Sequence, residues 1–123
     1  MSAKRNLRKT GGEYEKIAGA YLEKMGYQIL EYNFRCRYAE IDIVAKDGDV
    51  LVFCEVKYRS GKDADTSLEA VDFRKQKKIS RAALYYLFRY GSEEVQCRFD
   101  VIGITDQKIT LIKNAFDYTG VCE

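Results

Sequence analysis

Residues 39 to 59, AEIDIVAKDGDVLVFCEVKYR, join two β-prone runs through a hairpin signal and carry charges where strands seldom keep them. Glu40, Ile41, Asp42 and Ile43 alternate acid and aliphatic. Val50 to Cys54 is wholly apolar, and then Glu55 and Lys57 interrupt the run. Asp47-Gly48 between such runs predicts a two-residue turn. Lys46 then opposes Asp49, and Asp42 opposes Phe53. Opposed residues share a face and successive residues alternate. Glu40, Asp42 and Val44 therefore fall on one face with Leu51, Phe53, Glu55 and Lys57. Ile41, Ile43, Val50, Val52, Cys54 and Val56 fall on the other. In this register Glu55 opposes Glu40 and is diagonal to Asp42. A one-residue slip would break the arrangement.

The remainder of the chain reads as a scaffold for that face. Its 123 residues suit one domain with a sizeable core. Residues 1–9 form a basic flexible tail carrying Lys4, Arg5, Arg8 and Lys9, and 10–123 the folded domain. No apolar run nears the roughly 20 residues of a membrane span, and no apolar segment follows the basic N-terminus, so a secretory signal is not expected. With Cys36, Cys54, Cys97 and Cys122 scattered and unpaired in sequence, a cytoplasmic location with reduced thiols is expected. The absence of histidine excludes His-based acid–base catalysis and His-ligated zinc.

Thr10-Gly-Gly-Glu13 has capping-box spacing and predicts a helix to about Met25, ended by Gly26. Its apolar stripe is Tyr14, Ile17, Ala18, Tyr21, Leu22 and Met25. Glu15 lies on the margin of that stripe and reads as a solvated helix acid, with open space beside it at Gly19. Tyr27 to Phe34 is expected as a strand. Ser60 to Asp65 is a polar loop just beyond Lys57 that could cover the acidic face as a flap, although its composition better fits an ordinary solvated connection. A second helix is expected from about Ser67 to Tyr90, burying Ile79, Ala82, Ala83, Tyr86, Leu87 and Tyr90. Arg74, Lys77, Lys78, Arg81 and Tyr85 share its opposite side, with Lys75 on the margin. Such a face is most often merely solvated. Here it carries one sign over two turns and ends in an aromatic, which also fits phosphate-backbone contacts. Glu94 to Thr105 and Lys108 to Ile112 complete the strands around an Asp106-Gln107 turn. The order α-β-β-β-α-β-β suits a meander followed by a helical crossover to a parallel strand.

Two close carboxylates on rigid strands suit a hard divalent cation such as Mg²⁺. Asp42 and Glu55 match that. Lys57 shares their face, where an ammonium can orient water or offset phosphoryl charge. An acid-x-Lys triplet alone means little, since Glu55-x-Lys57 and Asp106-x-Lys108 are as many as random placement gives. The first has Asp42 on the neighbouring strand and the second has no such partner. The plain alternatives are a strand-end ion pair for Glu55 and Lys57 and a loop cap for Asp42.

Asp42, a turn, and then Glu55-Val56-Lys57 resemble the PD-(D/E)XK nuclease signature. More closely, nearly the whole chain resembles the bacterial YraN family of predicted endonucleases. The matching pieces are E-x-x-A-x-x-Y-L-x-x-x-G-Y (Glu15 to Tyr27), N-x-R (Asn33 to Arg35), E-I-D (Glu40 to Asp42), F-x-E-V-K-x-R (Phe53 to Arg59), A-V-x-x-x-K (Ala70 to Lys75) and R-F-D-V (Arg98 to Val101). The chain departs from the family in having Tyr14 and Ala39 where glycines are usual, and Phe73 where an early-helix proline is often found.

The resemblance implies an α/β fold with a three-layer restriction-endonuclease-like core, a mixed central sheet flanked by helices. It implies Asp42 and Glu55 as ligands of Mg²⁺ or Mn²⁺, with the Val56 carbonyl and Glu15 as further ligands, and Lys57 as the catalytic lysine. Glu15 thereby changes from a solvated acid to a site residue, while Glu40 and Lys75 match the family without an assigned role. The expected activity is metal-dependent hydrolysis of phosphodiester bonds, in DNA rather than RNA, branched or processed DNA included. Arg74, Lys75, Lys77, Lys78, Arg81 and the basic tail would bind the nucleic acid. Many nucleases of this fold pair two sites, which makes a homodimer plausible; no membrane partner is expected. The alternative reading is a non-catalytic nucleic-acid-binding or assembly module that keeps the fold.

Overall fold

The computed structural model describes residues 11–59, 72–90, 95–106 and 108–118. Helix α1 spans Gly11–Lys24, and strands β1, β2 and β3 span Gln28–Arg35, Glu40–Asp47 and Val50–Tyr58. Helix α2 spans Phe73–Tyr90, and strands β4 and β5 span Gln96–Ile104 and Ile109–Phe116. The strands form one sheet in chain order. Neighbours are antiparallel except β3 and β4, which run parallel across the α2 connection.

The helices cover opposite faces of this mixed sheet, giving three layers. Ala18 and Leu22 of α1 pack on Ile43, Ala45, Val52, Cys54, Ile102 and Ile104. Ile79, Ala82, Ala83 and Tyr86 of α2 pack on Val44, Leu51, Phe53, Phe99 and Val101. Phe53 is 1% exposed, so truncating it to alanine would cost about 3–5 kcal/mol.

Helix α1 ends as the glycine predicts. Gly26 has φ 100°, the Tyr27 amide donates to the Leu22 carbonyl at 2.9 Å and the Gly26 amide to the Glu23 carbonyl at 3.0 Å. That is a Schellman cap. It turns Tyr27 onto the core beside Leu22 and leaves Met25 exposed, so Met25 is not part of the buried stripe. Gly19 does not open space beside Glu15. The Tyr32 ring fills it, and a Cβ there would overlap the Tyr32 hydroxyl.

Helix α2 begins at Phe73; the expected start near Ser67 lies outside the described residues. The Asp72 carboxylate accepts the Arg74 amide at 2.9 Å and its carbonyl accepts the Gln76 amide at 2.9 Å, which makes Asp72 the N-cap. Phe73 is therefore the first helical residue, a position where proline is tolerated. Tyr90 is 55% exposed, so the buried stripe stops short of it. Thr10, the basic tail, the 60–65 loop, Gln107 and Cys122 lie outside the described residues.

The central hairpin differs from its expected register. Asp47 pairs with Val50, so the turn residues are Gly48 and Asp49. Gly48 takes φ 63°, as the first central position of a type II′ turn requires. Asp47 stays in the strand because its carboxylate accepts Arg98 at 2.9 Å. The slip is of two residues, so the side-chain parity survives and Val44, not Asp42, opposes Phe53. Pairing stops at Ile43 and Cys54. Beyond it, alternation breaks: Ile43 packs toward α1 while Ile41 packs in the α2 cluster.

Strand β5 runs to Phe116, beyond its expected end at Ile112. An irregularity opposite Asp100 lets it continue. Asn114 takes φ 54° and its amide donates to Asp100 Oδ1 at 2.9 Å. Asp100 has no solvent exposure and also accepts the Tyr27 hydroxyl at 2.9 Å and Arg98 Nε at 2.9 Å. Burial first, and then the Asp100 charge, hold the Tyr27 hydroxyl above the ordinary phenol range. The R-F-D-V motif is thus an internal strut, with Arg98 joining Asp100 to Asp47.

Candidate functional site

The break in β2 creates the site. Where the β2–β3 ladder ends, the Asp42 carboxylate accepts the Val56 amide at 2.8 Å, a side-chain bond where a ladder bond would otherwise continue. Asp42 therefore projects between the strands rather than off one face. From there it meets groups of both helical layers.

Glu15 comes from the α1 layer. It is 8% exposed, which overturns its reading as a solvated helix acid. One carboxylate oxygen from each of Glu15, Glu40 and Asp42 lies within 4.8 Å of the others. Among the described residues, Glu15 Oε1 is the only buried side-chain oxygen or nitrogen without a hydrogen-bond partner. Such an atom is costly to leave unsatisfied. Burial, then the Glu55 charge, push the Asp42 carboxyl up to about 8; the Val56 amide opposes this and Glu15 adds to it. Clustered buried acids that disfavour one another's ionisation are what a cation would relieve.

Glu55 and Lys75 come from the α2 side. Glu55 is 7% exposed, and Lys75 Nζ lies 2.6 Å from its carboxylate. Burial pulls the Lys75 ammonium down, but its bond to Glu55 outweighs that and holds it above the usual lysine range. Lys57 is shifted the other way: burial, then the Arg59 and Lys75 cations, hold its ammonium below the usual range, against the pull of Glu55.

A cleft of about 420 Å³ opens on this cluster. Glu40, Asp42 and Glu55 line it, facing Asp72, Arg74, Lys75 and Lys78 at the start of α2, with Tyr38 at one side. Arg74, Lys75 and Lys78 of the expected basic surface thus reach the cleft, whereas Lys77 lies over the Phe73 ring at 5.7 Å and Arg81 over the Tyr38 ring at 5.9 Å. Tyr14, beside Glu15, stacks on Tyr58 with ring centroids 4.4 Å apart.

Sequence reasoning left Glu40 without a role and gave Lys75 only a place among the nucleic-acid-binding cations, not in the acidic site. Glu40 joins the acidic trio, a position its two-residue spacing from Asp42 already hinted at. Lys75 lies one turn before Ile79, which is buried and lines the cleft; a lysine there is carried over the sheet end.

A family model described as "Uncharacterised protein family UPF0102" matches residues 14–104, a span that contains every acid and lysine of the cluster. A UPF0102 protein of Lachnoclostridium phytofermentans is 46% identical over 116 residues, covering 94% of this chain and 98% of the relative. One from Syntrophus aciditrophicus is 46% identical over 116 residues, 91% of each chain. One from Geobacter sulfurreducens is 48% identical over 108 residues, 84% of each chain.

Proposed function

Since the chain belongs to the uncharacterised protein family UPF0102, the YraN-type family, we propose from the geometry of its site that it is a metal-dependent nuclease acting on DNA. The observation that carries this reading is Glu15 Oε1, buried and unpartnered beside the carboxylates of Glu40 and Asp42. The donor set is all oxygen, which suits Mg²⁺ or Mn²⁺. Asp42, Glu15 and Glu40 would hold the ion, with Glu55 and the Val56 carbonyl adjacent. A bound ion there would polarise a phosphoryl oxygen and acidify a water.

The chain's own groups supply the rest. Lys57, with its ammonium held below the usual range, is suited to orient an attacking water and take part in its deprotonation. Arg74 and Lys78 on the cleft wall would fix phosphates flanking the scissile bond. Although the Asp72 carboxylate caps α2, its first turn carries Arg74 and Lys75 and no acid, cations that oppose the helix dipole. A local rule broken beside a cleft favours an anionic ligand. Lys75 would neutralise Glu55 until phosphate enters.

The non-catalytic module has one observation in its favour: Glu55 already has a cation in Lys75. Cleavage and binding assays on the same branched, duplex and single-stranded DNA separate the two readings. Metal-dependent cutting that Lys57→Ala abolishes while binding persists supports the nuclease. Salt-sensitive binding that needs Lys78 but ignores Asp42 and Lys57, with no cutting by wild type, rejects it.

A further inference from the structure

We infer that Tyr38, backed by Tyr85 and flanked by Arg37 and Arg81, is a stacking platform for an unpaired DNA base at the edge of the cleft. The inference rests on the nuclease reading for its ligand and names the part of the substrate that reading leaves open. Tyr38 sits in the turn between β1 and β2 and lines the cleft together with Asp42 and Glu55. It is 39% exposed and Tyr85 37% exposed, so aromatic surface faces water beside a polar cleft.

The platform is built rather than incidental. Phe34, 3% exposed, holds the Tyr85 ring with centroids 6.2 Å apart. Tyr85 in turn meets the Tyr38 ring at 6.5 Å and 68°. The guanidiniums of Arg37 and Arg81 each lie 5.9 Å from the Tyr38 ring centre. The turn itself is closed by the Cys36 amide donating to the Ala39 carbonyl at 3.1 Å. An aromatic ring braced by Tyr85 and carrying guanidiniums over it matches the chemistry of a nucleotide, whose base stacks on aromatic and guanidinium planes and whose phosphate takes the charge.

The ring also selects among substrates. In a continuous duplex each base face is covered by its neighbours, so a protein ring can take one only after unstacking it. A strand with unpaired bases offers its faces without that cost. Because Tyr38 is itself a wall of the cleft, a strand with a phosphate between the acids and the α2 cations brings an adjacent base to the ring. The substrate class is therefore DNA with a single-stranded stretch at the site of attack: an overhang, a flap or the open centre of a branch.

Equilibrium binding with EDTA present, so that no strand is cut, tests this with two fluorescent DNAs of equal length, one single-stranded and one blunt duplex. Tyr38→Leu is expected to weaken single-strand binding about tenfold, in line with one lost base stack, and to change duplex binding less than twofold, while Tyr38→Phe keeps wild-type affinity for both. A 2-aminopurine in the single strand should be quenched by wild type and Tyr38→Phe but not by Tyr38→Leu. Equal weakening on both DNAs, or no weakening on the single strand, overturns the platform. Wild type that binds and cuts duplex without preferring unpaired strands overturns the platform alone. Absence of any salt-sensitive DNA binding overturns it together with the nucleic-acid reading.

Discussion

Asp42 concentrates the chemistry of this molecule in one side chain, and its titration gives a direct test. Its carboxyl is pushed from an ordinary 3.8 up to about 8 by burial and by Glu55 and Glu15. Between those values the unfolded chain has released a proton that the folded chain keeps. The stabilising contribution is therefore complete below about pH 4 and is lost as pH rises to about 8. Asp42→Asn, which copies the protonated form, should gain on wild type steadily from pH 5 to pH 8 in thermal melts without metal. At pH 8 it should be more stable by about 1–3 kcal/mol. Addition of Mg²⁺ should stabilise wild type and leave the variant unchanged. A constant difference across this pH range would show that Asp42 does not titrate with folding. Asp100 makes the opposite contrast. It is equally acidic in sequence, yet its bonds from Tyr27, Arg98 and Asn114 make it structural. Asp100→Ala should cost about 2–5 kcal/mol in denaturant unfolding, because it leaves the buried Tyr27 hydroxyl, Arg98 Nε and the Asn114 amide without their acceptor.

At the scale of elements, what was legible in the sequence was periodic. The two helices, the hairpin and the parallel return to β4 follow from 3.6- and 2-residue patterns and from Gly26 and Gly48. What was not legible depends on contacts between distant segments. Arg98 holds Asp47 in β2 and moves the turn by two residues. The break in alternation after Ile41 exists because the Asp42 side chain takes a β3 amide. Glu15 looked solvated because a helix wheel does not show which sheet end lies beneath it; the family motif, not the pattern, marked it. Helix α2 adds a prediction of its own. Arg74, Lys75, Lys77 and Lys78 crowd its N-terminal turns, against the dipole. Lys78→Ala, one turn beyond the first, should change stability by less than about 0.5 kcal/mol, while weakening DNA binding and reducing its salt dependence. Loss of stability together with unchanged DNA affinity would make Lys78 a packing residue.

Taken whole, the molecule places one acid from α1, two from β2 and one from β3 at a single end of the sheet, with α2 supplying the cations opposite. Among the described residues no helix is long and apolar enough to cross a membrane. The sheet leaves its ladder unfinished at the one place where Asp42 and Glu55 meet, and the Arg98–Asp100 strut joins strands and turn elsewhere in the fold. The division of labour predicts that variants of the strut lose stability, whereas variants of the cluster lose ion binding. Titration of Mn²⁺ into the folded protein by calorimetry tests that division most directly. Wild type should bind the ion with release of protons, and Asp42→Asn and Glu15→Gln should fold but bind at least tenfold more weakly. No heat of binding to wild type, or equal binding by all three, would contradict the metal site.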